Sequence, residues 1–245
     1  MKLKNPEIAP DVLVKGLIAL YNQQKWNDFF PFAESIREHF PDDITIKKIL
    51  GAAYLVYSNN TAAISVYSEI IKIKPNDHDV LNNLAVAFFN VDEFSESIKN
   101  YQKLIKLGDK SANTYFNLGN SYKANKAIGL AIKSYEIAHS KDPNDCDIMV
   151  NYANACFDYG DFEKCIDLNH RILSFQPENL STKKDLDTAI EEKKKFEVGL
   201  PKDLATKNFT NKAMYYSSRA LFLQKKGFLG DAINYFEKAL KLSPN

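Results

Sequence analysis

"LGNSYKANKAIGLAIKSYEIAHSKDP", Leu118 to Pro143, repeats the text of "LGAAYLVYSNNTAAISVYSEIIKIKP", Leu50 to Pro75. Each stretch opens on Leu-Gly and continues through Tyr54 or Tyr122, Ala63 or Ala131, and Tyr67 or Tyr135, closing on proline. Pro41, Pro75, Pro143 and Pro177 fall at intervals of 34, 68 and 34 residues, with Asp109 in the vacant slot. A fixed period of this length marks an array of supersecondary units rather than a single globular core.

Within each unit the apolar residues recur at helical spacing. Tyr115, Leu118, Gly119 and Tyr122 share one stripe, and after a short turn Ala131, Tyr135 and Ala138 share another. The unit is therefore a helical hairpin. Gly51 and Gly119 lie inside helices, where glycine costs about 1 kcal/mol relative to alanine, so a facing helix is expected to approach closely, at Ala63 and Ala131. Most of the 13 tyrosines and 16 phenylalanines, and Trp26, then serve as filling between helices.

This text resembles the tetratricopeptide repeat (TPR) family, whose pattern of Leu-Gly, Tyr, Ala, aromatic and Pro the two quoted segments match. Partial matches run through Ala85, Phe88, Ser97 and Tyr101, through Ala153, Cys156 and Cys165, and through Arg219, Ala220, Leu223, Ala232, Phe236, Ala239 and Pro244. The first unit, around Leu17, Leu20, Trp26, Phe29 and Pro41, diverges most, with phenylalanine where the family has alanine. The resemblance implies an all-α fold, a right-handed TPR superhelix (α-solenoid) of about six helical hairpins with one irregular insertion. A single hairpin buries too little apolar surface, so neighbours stack and the first helix of each pair lines a concave face.

The organisation expected is an array of about five repeats over residues 1–179, an irregular helix and loop over 180–212, and a C-terminal repeat over 213–245. In the middle segment "LSTKKDLDTAIEEKKKF" reads as a helix with Leu186, Ala189 and Ile190 on one face, and Gly199 and Pro201 break it. Glu191 and Lys195 are placed for an i to i+4 pair. A hinge or a partner-specific insertion is the sharper reading of this segment.

Asn83, Asn117 and Asn151 occupy the same place in successive repeats. Four residues before them stand Asp79, Asn113 and Asp147; three after come Val86, Asn120 and Asn154. These spacings put each set on one helical face beside the apolar stripe, on the groove side. The arrangement resembles the asparagine ladder of the TPR domain of O-linked N-acetylglucosamine transferase, which implies that the amides hold the backbone of an extended peptide. An amide bears two donors and an acceptor, so it grips a peptide unit without reading side chains. At roughly 0.5 to 1.5 kcal/mol per hydrogen bond, three rungs imply micromolar affinity. The competing reading has the asparagines bonding to the neighbouring repeat's backbone. The ladder is short, since Ile49 and Ser218 stand at its outer positions, and Ala52 replaces the asparagine that would partner Lys48 in a carboxylate clamp.

Composition narrows the function. A net charge of +1, from 32 Lys and Arg against 31 Asp and Glu, gives no strong field for nucleic acid or an anionic membrane. Early prolines and charges interrupt any signal-peptide core and no run reaches the roughly 18 apolar residues of a membrane span, so a cytoplasmic location without membrane insertion is expected. Three cysteines and four scattered histidines lack metal-ligand spacing. Cys156 and Cys165 read as small buried residues or, alternatively, as a redox pair. No phosphate loop or nucleophile-base motif is present, and no cofactor is expected. The leading expectation is a non-catalytic interaction scaffold for a protein or peptide. The alternative is the substrate-recognition arm of a larger glycosyltransferase, sulfotransferase or methyltransferase. Phe236, Ala239 and Leu240 on the last helix are expected to lie incompletely covered, inviting self-association or a further domain.

Overall fold

The computed structural model describes residues 10–198 and 209–243, which hold thirteen α-helices and no strand. Two compact units, Met1–Asp109 and Lys110–Asn245, divide them. The first contains α1 (Pro10–Asn22), α2 (Trp26–His39), α3 (Ile44–Val56), α4 (Asn60–Ile73), α5 (His78–Asn90) and α6 (Phe94–Lys106). The second contains α7 (Ala112–Ala124), α8 (Ile128–Lys141), α9 (Cys146–Tyr159), α10 (Phe162–Phe175), α11 (Leu180–Val198), α12 (Phe209–Lys225) and α13 (Leu229–Leu242). Six antiparallel hairpins and one unpaired helix, α11, result. The breakers Gly199 and Pro201 and the closing Pro244 lie outside the described residues.

The periodic prolines work together with the residue two places on. Pro cannot continue the preceding helix, and the carboxylates of Asp43, Asp77 and Asp145 then accept hydrogen bonds from the amides of Ile46, Val80 and Ile148 at 3.0, 3.2 and 3.0 Å. Ser111 caps α7 at Thr114 (3.3 Å) even without its proline, and Asn179 caps α11 at Thr182 (3.0 Å). Each such cap contributes about 1 kcal/mol. The turn inside each hairpin carries one left-handed residue: Gln24, Ser58, Asp92, Lys126, Gly160 and Gly227 all have φ between 53° and 83°. Only two of these six left-handed positions are glycine.

Both units are packed between helices. In the first, Leu17, Phe29, Ile36 and Leu50 form one cluster, and Tyr67, Ile70, Val80 and Leu84 another; Trp26 packs at the edge of the former, as filling. In the second, Ile128, Tyr135, Cys156, Leu168 and Ala189 join Leu223, Phe228 and Ala232 of the last hairpin. The helical glycines do meet a close neighbour, but it is not the expected alanine. A Cβ on Gly51 would lie 2.7 Å from the Tyr67 ring, and one on Gly119 2.7 Å from the Tyr135 ring. The large ring one turn beyond the alanine reaches farther across the crossing than the alanine does.

On α11, Leu186 and Ala189 are buried, while Lys195 pairs with Glu192 at 2.8 Å rather than with Glu191, an i to i+3 contact. The α12–α13 hairpin docks on the α9–α10 turn and the start of α8. Phe222 meets Phe162 edge-on at 5.8 Å and Phe196 at 6.0 Å. The Asp231 carboxylate accepts from the Gly129 amide at 3.2 Å, supplying the cap that Ala127 cannot. Arg219 donates to the Gly160 carbonyl at the end of α9 at 2.5 Å, its guanidinium lying 5.0 Å from the Tyr159 ring centre. An anion thus meets a helix N-terminus and a cation a helix C-terminus, the pairing helix dipoles favour. On the last helix Leu240 is 60% exposed and Phe236 half-buried, whereas Ala239 is covered within the hairpin, contrary to expectation.

Candidate functional site

In the second unit α7 and α9 are neighbours, and their apolar stripes fix which way the polar face looks. Leu118 and Gly119 are buried on α7, as are Tyr152 and Ala153 on α9. Asn117 and Asn151 sit one residue ahead of these buried pairs, half-exposed, and Asn113, Asp147 and Asn154 are exposed.

The amides differ in what they already do. Asn117 donates to the Asn113 side chain at 3.3 Å, and Asn151 donates to the Asp147 carbonyl of its own helix at 2.9 Å. Both keep their carbonyl oxygens without a partner among the described residues, and neither bonds to a neighbouring repeat's backbone. Asn120 is committed: its oxygen accepts the Tyr135 hydroxyl at 2.6 Å. Burial pushes the Tyr135 hydroxyl far above the usual tyrosine range, so it stays a neutral donor.

In the first unit Asn83, on α5, donates to the Tyr67 hydroxyl at 3.1 Å. Burial raises Tyr67 to about 12, with the Asn83 bond partly opposing it. The two tyrosines occupy equivalent places yet take different asparagines, because Ala52 stands where Asn120 stands 68 residues later. Asp79 is exposed and lies 3.4 Å from Lys48, whose closer partner is Asp77 at 2.8 Å. Burial alone would lower the Lys48 pKa, but these two carboxylates raise it. Lys48 is thus held by its own chain.

Cys156 and Cys165 are buried free thiols, and burial pushes both up, Cys165 to about 12. Thiols so far from ionising at neutral pH are structural rather than reactive. No group of His, Cys, Asp or Glu suited to a metal occurs among the described residues, and no described helix is long and apolar enough to cross a membrane. Sequence reading missed the roles of Arg219 and Asp231. Arg219 was legible as a repeat position, but its burial at 6% exposure depends on partners far along the chain.

A sequence model of the tetratricopeptide repeat matches residues 213–245. Aspartyl/asparaginyl beta-hydroxylase of Mus musculus is 33% identical over 107 residues, 42% of this chain and 14% of that protein. Anaphase-promoting complex subunit CDC16 of Saccharomyces cerevisiae is 28% identical over 159 residues, 62% of this chain and 19% of that one. The chain therefore spans less than a fifth of the length of either relative. Among solved structures, a tetratricopeptide repeat protein from Parabacteroides merdae superposes with a TM-score of 0.64 at 11% identity, covering 96% of this chain and 98% of that one. MamA of Desulfovibrio magneticus RS-1 gives 0.65 at 11% identity, covering 69% and 96%. At such identities the likeness is one of fold.

Proposed function

We propose that this chain, a tetratricopeptide-repeat protein and so a protein-interaction scaffold, binds extended peptide segments through the polar face of its first helices. The observation that carries the reading is the pair Asn117 and Asn151, each half-exposed with a free carbonyl oxygen, on the adjacent helices α7 and α9. Asn154 beside them makes no hydrogen bond among the described residues and is free to join. Asn113 and Asp147 flank this face, and Asn120 supports it from below through Tyr135. In the first unit the equivalent residues of α5 are Asp79 and Asn83, with Asn83 giving its amide to Tyr67. In this reading residues 1–179 form the array, 180–212 an interruption and 213–245 a C-terminal repeat. A second reading, the recognition arm of a larger enzyme, draws on the match of 107 residues to part of a hydroxylase.

Backbone recognition has a distinctive signature. Overlapping twelve-residue peptides on an array select a binder, whose affinity is then measured by calorimetry. Replacing its side chains singly by alanine is expected to change affinity less than threefold, and N-methylating its central backbone amides to weaken it tenfold or more, about 1.4 kcal/mol per decade. Asn117→Ala with Asn151→Ala should produce the same loss without moving the thermal midpoint. Asn83→Ala should lower that midpoint, because it strips a buried hydroxyl of its partner. Strong dependence on peptide side chains, or unchanged affinity in the double variant, refutes the reading.

A further inference from the structure

A second feature of the second unit has no part in that peptide-binding face. Between the start of α8 and the length of α13 lies an open cavity of about 1030 Å³, at the upper end of the volumes typical of ligand pockets. Lys126, Lys133, Lys238 and Lys241 line it, all exposed, and none forms an ion pair among the described residues. The acids facing them are Asp231 and Glu237. Asp231 is spent on the Gly129 amide, so Glu237 is the one acid of this lining not already engaged by backbone. In a chain whose net charge is only +1, four lysines against two carboxyls around one concavity leave a local excess of positive charge, and a concave wall focuses their field.

We propose that this cavity docks an acidic segment of a partner polypeptide, a run of aspartates and glutamates crossing α13 beside α8. The lysines supply the attraction for its carboxylates. Asn125 and Asn234, also in the lining, offer donors and acceptors to its backbone. At Gly227 and Gly230 even an added Cβ would find nothing within 4 Å, so a chain can pass close over that end of the cavity. A nucleotide fits less well. The tyrosine rings at the cavity's edge are already covered: Arg219 sits over Tyr159, and Lys238 lies 4.6 Å from the Tyr235 centroid, leaving little aromatic face for a base. The proposal rests on the reading of the chain as a protein-binding scaffold, but not on its asparagine face.

The test uses the full chain and a fluorescein-labelled ten-residue peptide of alternating Asp and Glu, followed by anisotropy at low and at physiological salt. The comparison probes are the same peptide with Asn and Gln replacing the acids, and a single-stranded ten-nucleotide DNA. Lys133→Glu with Lys241→Glu reverses two cavity charges. Lys72→Glu with Lys106→Glu makes the same change in net charge on exposed helix positions of the first unit. The acidic peptide is expected to bind with strong salt dependence and the neutral one not at all. The cavity pair should weaken binding tenfold or more and the distant pair less than threefold, with Asn117→Ala and Asn151→Ala leaving it unchanged. Equal loss in both lysine pairs reduces the effect to net charge and overturns the proposal. So does loss through the asparagine variant, absence of acidic-peptide binding, or tighter binding of the DNA at the same lysines. Failure of the array experiment with success here would leave this cavity standing and remove the asparagine face alone.

Discussion

The Tyr135 ring occupies the space a side chain on Gly119 would need, 2.7 Å from the position of its Cβ. Tyr67 stands over Gly51 in the same way. The glycine thus loses about 1 kcal/mol of helix propensity in exchange for a buried aromatic ring laid across the crossing. The ring's hydroxyl then reaches an asparagine on a first helix, so packing within a hairpin and the polar face are mechanically joined.

Gly119→Ala is accordingly expected to destabilise the second unit by on the order of 1 to 2 kcal/mol, because overpacking outweighs the gain in propensity. Gly230→Ala, with open space at the same atom, should be neutral or stabilising. Urea denaturation midpoints of the two variants check this, and a midpoint for Gly119→Ala at or above the parent's contradicts the register of the crossing.

Ser58, exposed in the α3–α4 turn with φ 59°, carries left-handed strain that glycine does not. Ser58→Gly should stabilise the first unit by about 0.5 to 1 kcal/mol, the relief exceeding the extra chain entropy glycine brings to the unfolded state. Ser58→Ala is expected to gain nothing. Thermal melts of the pair, side by side, decide it.

Docking of the last hairpin depends on two polar anchors. Asp231→Ala removes an acceptor from the start of α8 and should raise amide hydrogen exchange throughout α13, with a loss of about 1 kcal/mol. Asp231→Asn keeps an acceptor oxygen and should be milder, the more so because burial raises the Asp231 carboxyl and already disfavours its charge. Arg219→Met, leaving the Gly160 carbonyl without its donor, should cost about 2 kcal/mol. Equal exchange rates in all three variants and the parent would show that apolar contacts alone hold the hairpin.

Acid should weaken the first unit. For both Glu69 and Asp77 burial alone would raise the carboxyl. The bonds from Lys47 and Arg37 lower Glu69 nonetheless, and those from Lys48 and the Val80 amide lower Asp77. A carboxyl lowered on folding stabilises the folded state above its unfolded pKa, and that contribution is lost as pH falls through the folded value. The thermal midpoint of the first unit should therefore drop below roughly pH 4. The double variant Glu69→Gln, Asp77→Asn should show a lower midpoint at pH 7 and a flatter acid limb. An unchanged slope would count against these pairs.

The sequence by itself determined the hairpins, their period and their caps, because those features are local. Asp77 finds the Val80 amide three residues away, and the proline two places before it ends the preceding helix whatever the tertiary context. The pairing of Gly119 with Tyr135 was half legible: glycine announced a close approach, but which side chain made it depended on how far a ring reaches across a crossing. Tertiary structure alone decided the rest. Six turns share a left-handed residue that only Gly160 and Gly227 announce by type, since closing the hairpin imposes a conformation that the residue type does not choose. Asn83 and Asn117 look alike in sequence, yet Asn83 bonds to Tyr67 and Asn117 to Asn113. Arg219 and Asp231 find partners 59 and 102 residues away. Periodicity fixes the face on which a side chain lies, whereas its hydrogen-bond partner and its burial depend on which distant backbone ends the packed helices bring within about 3 Å of it.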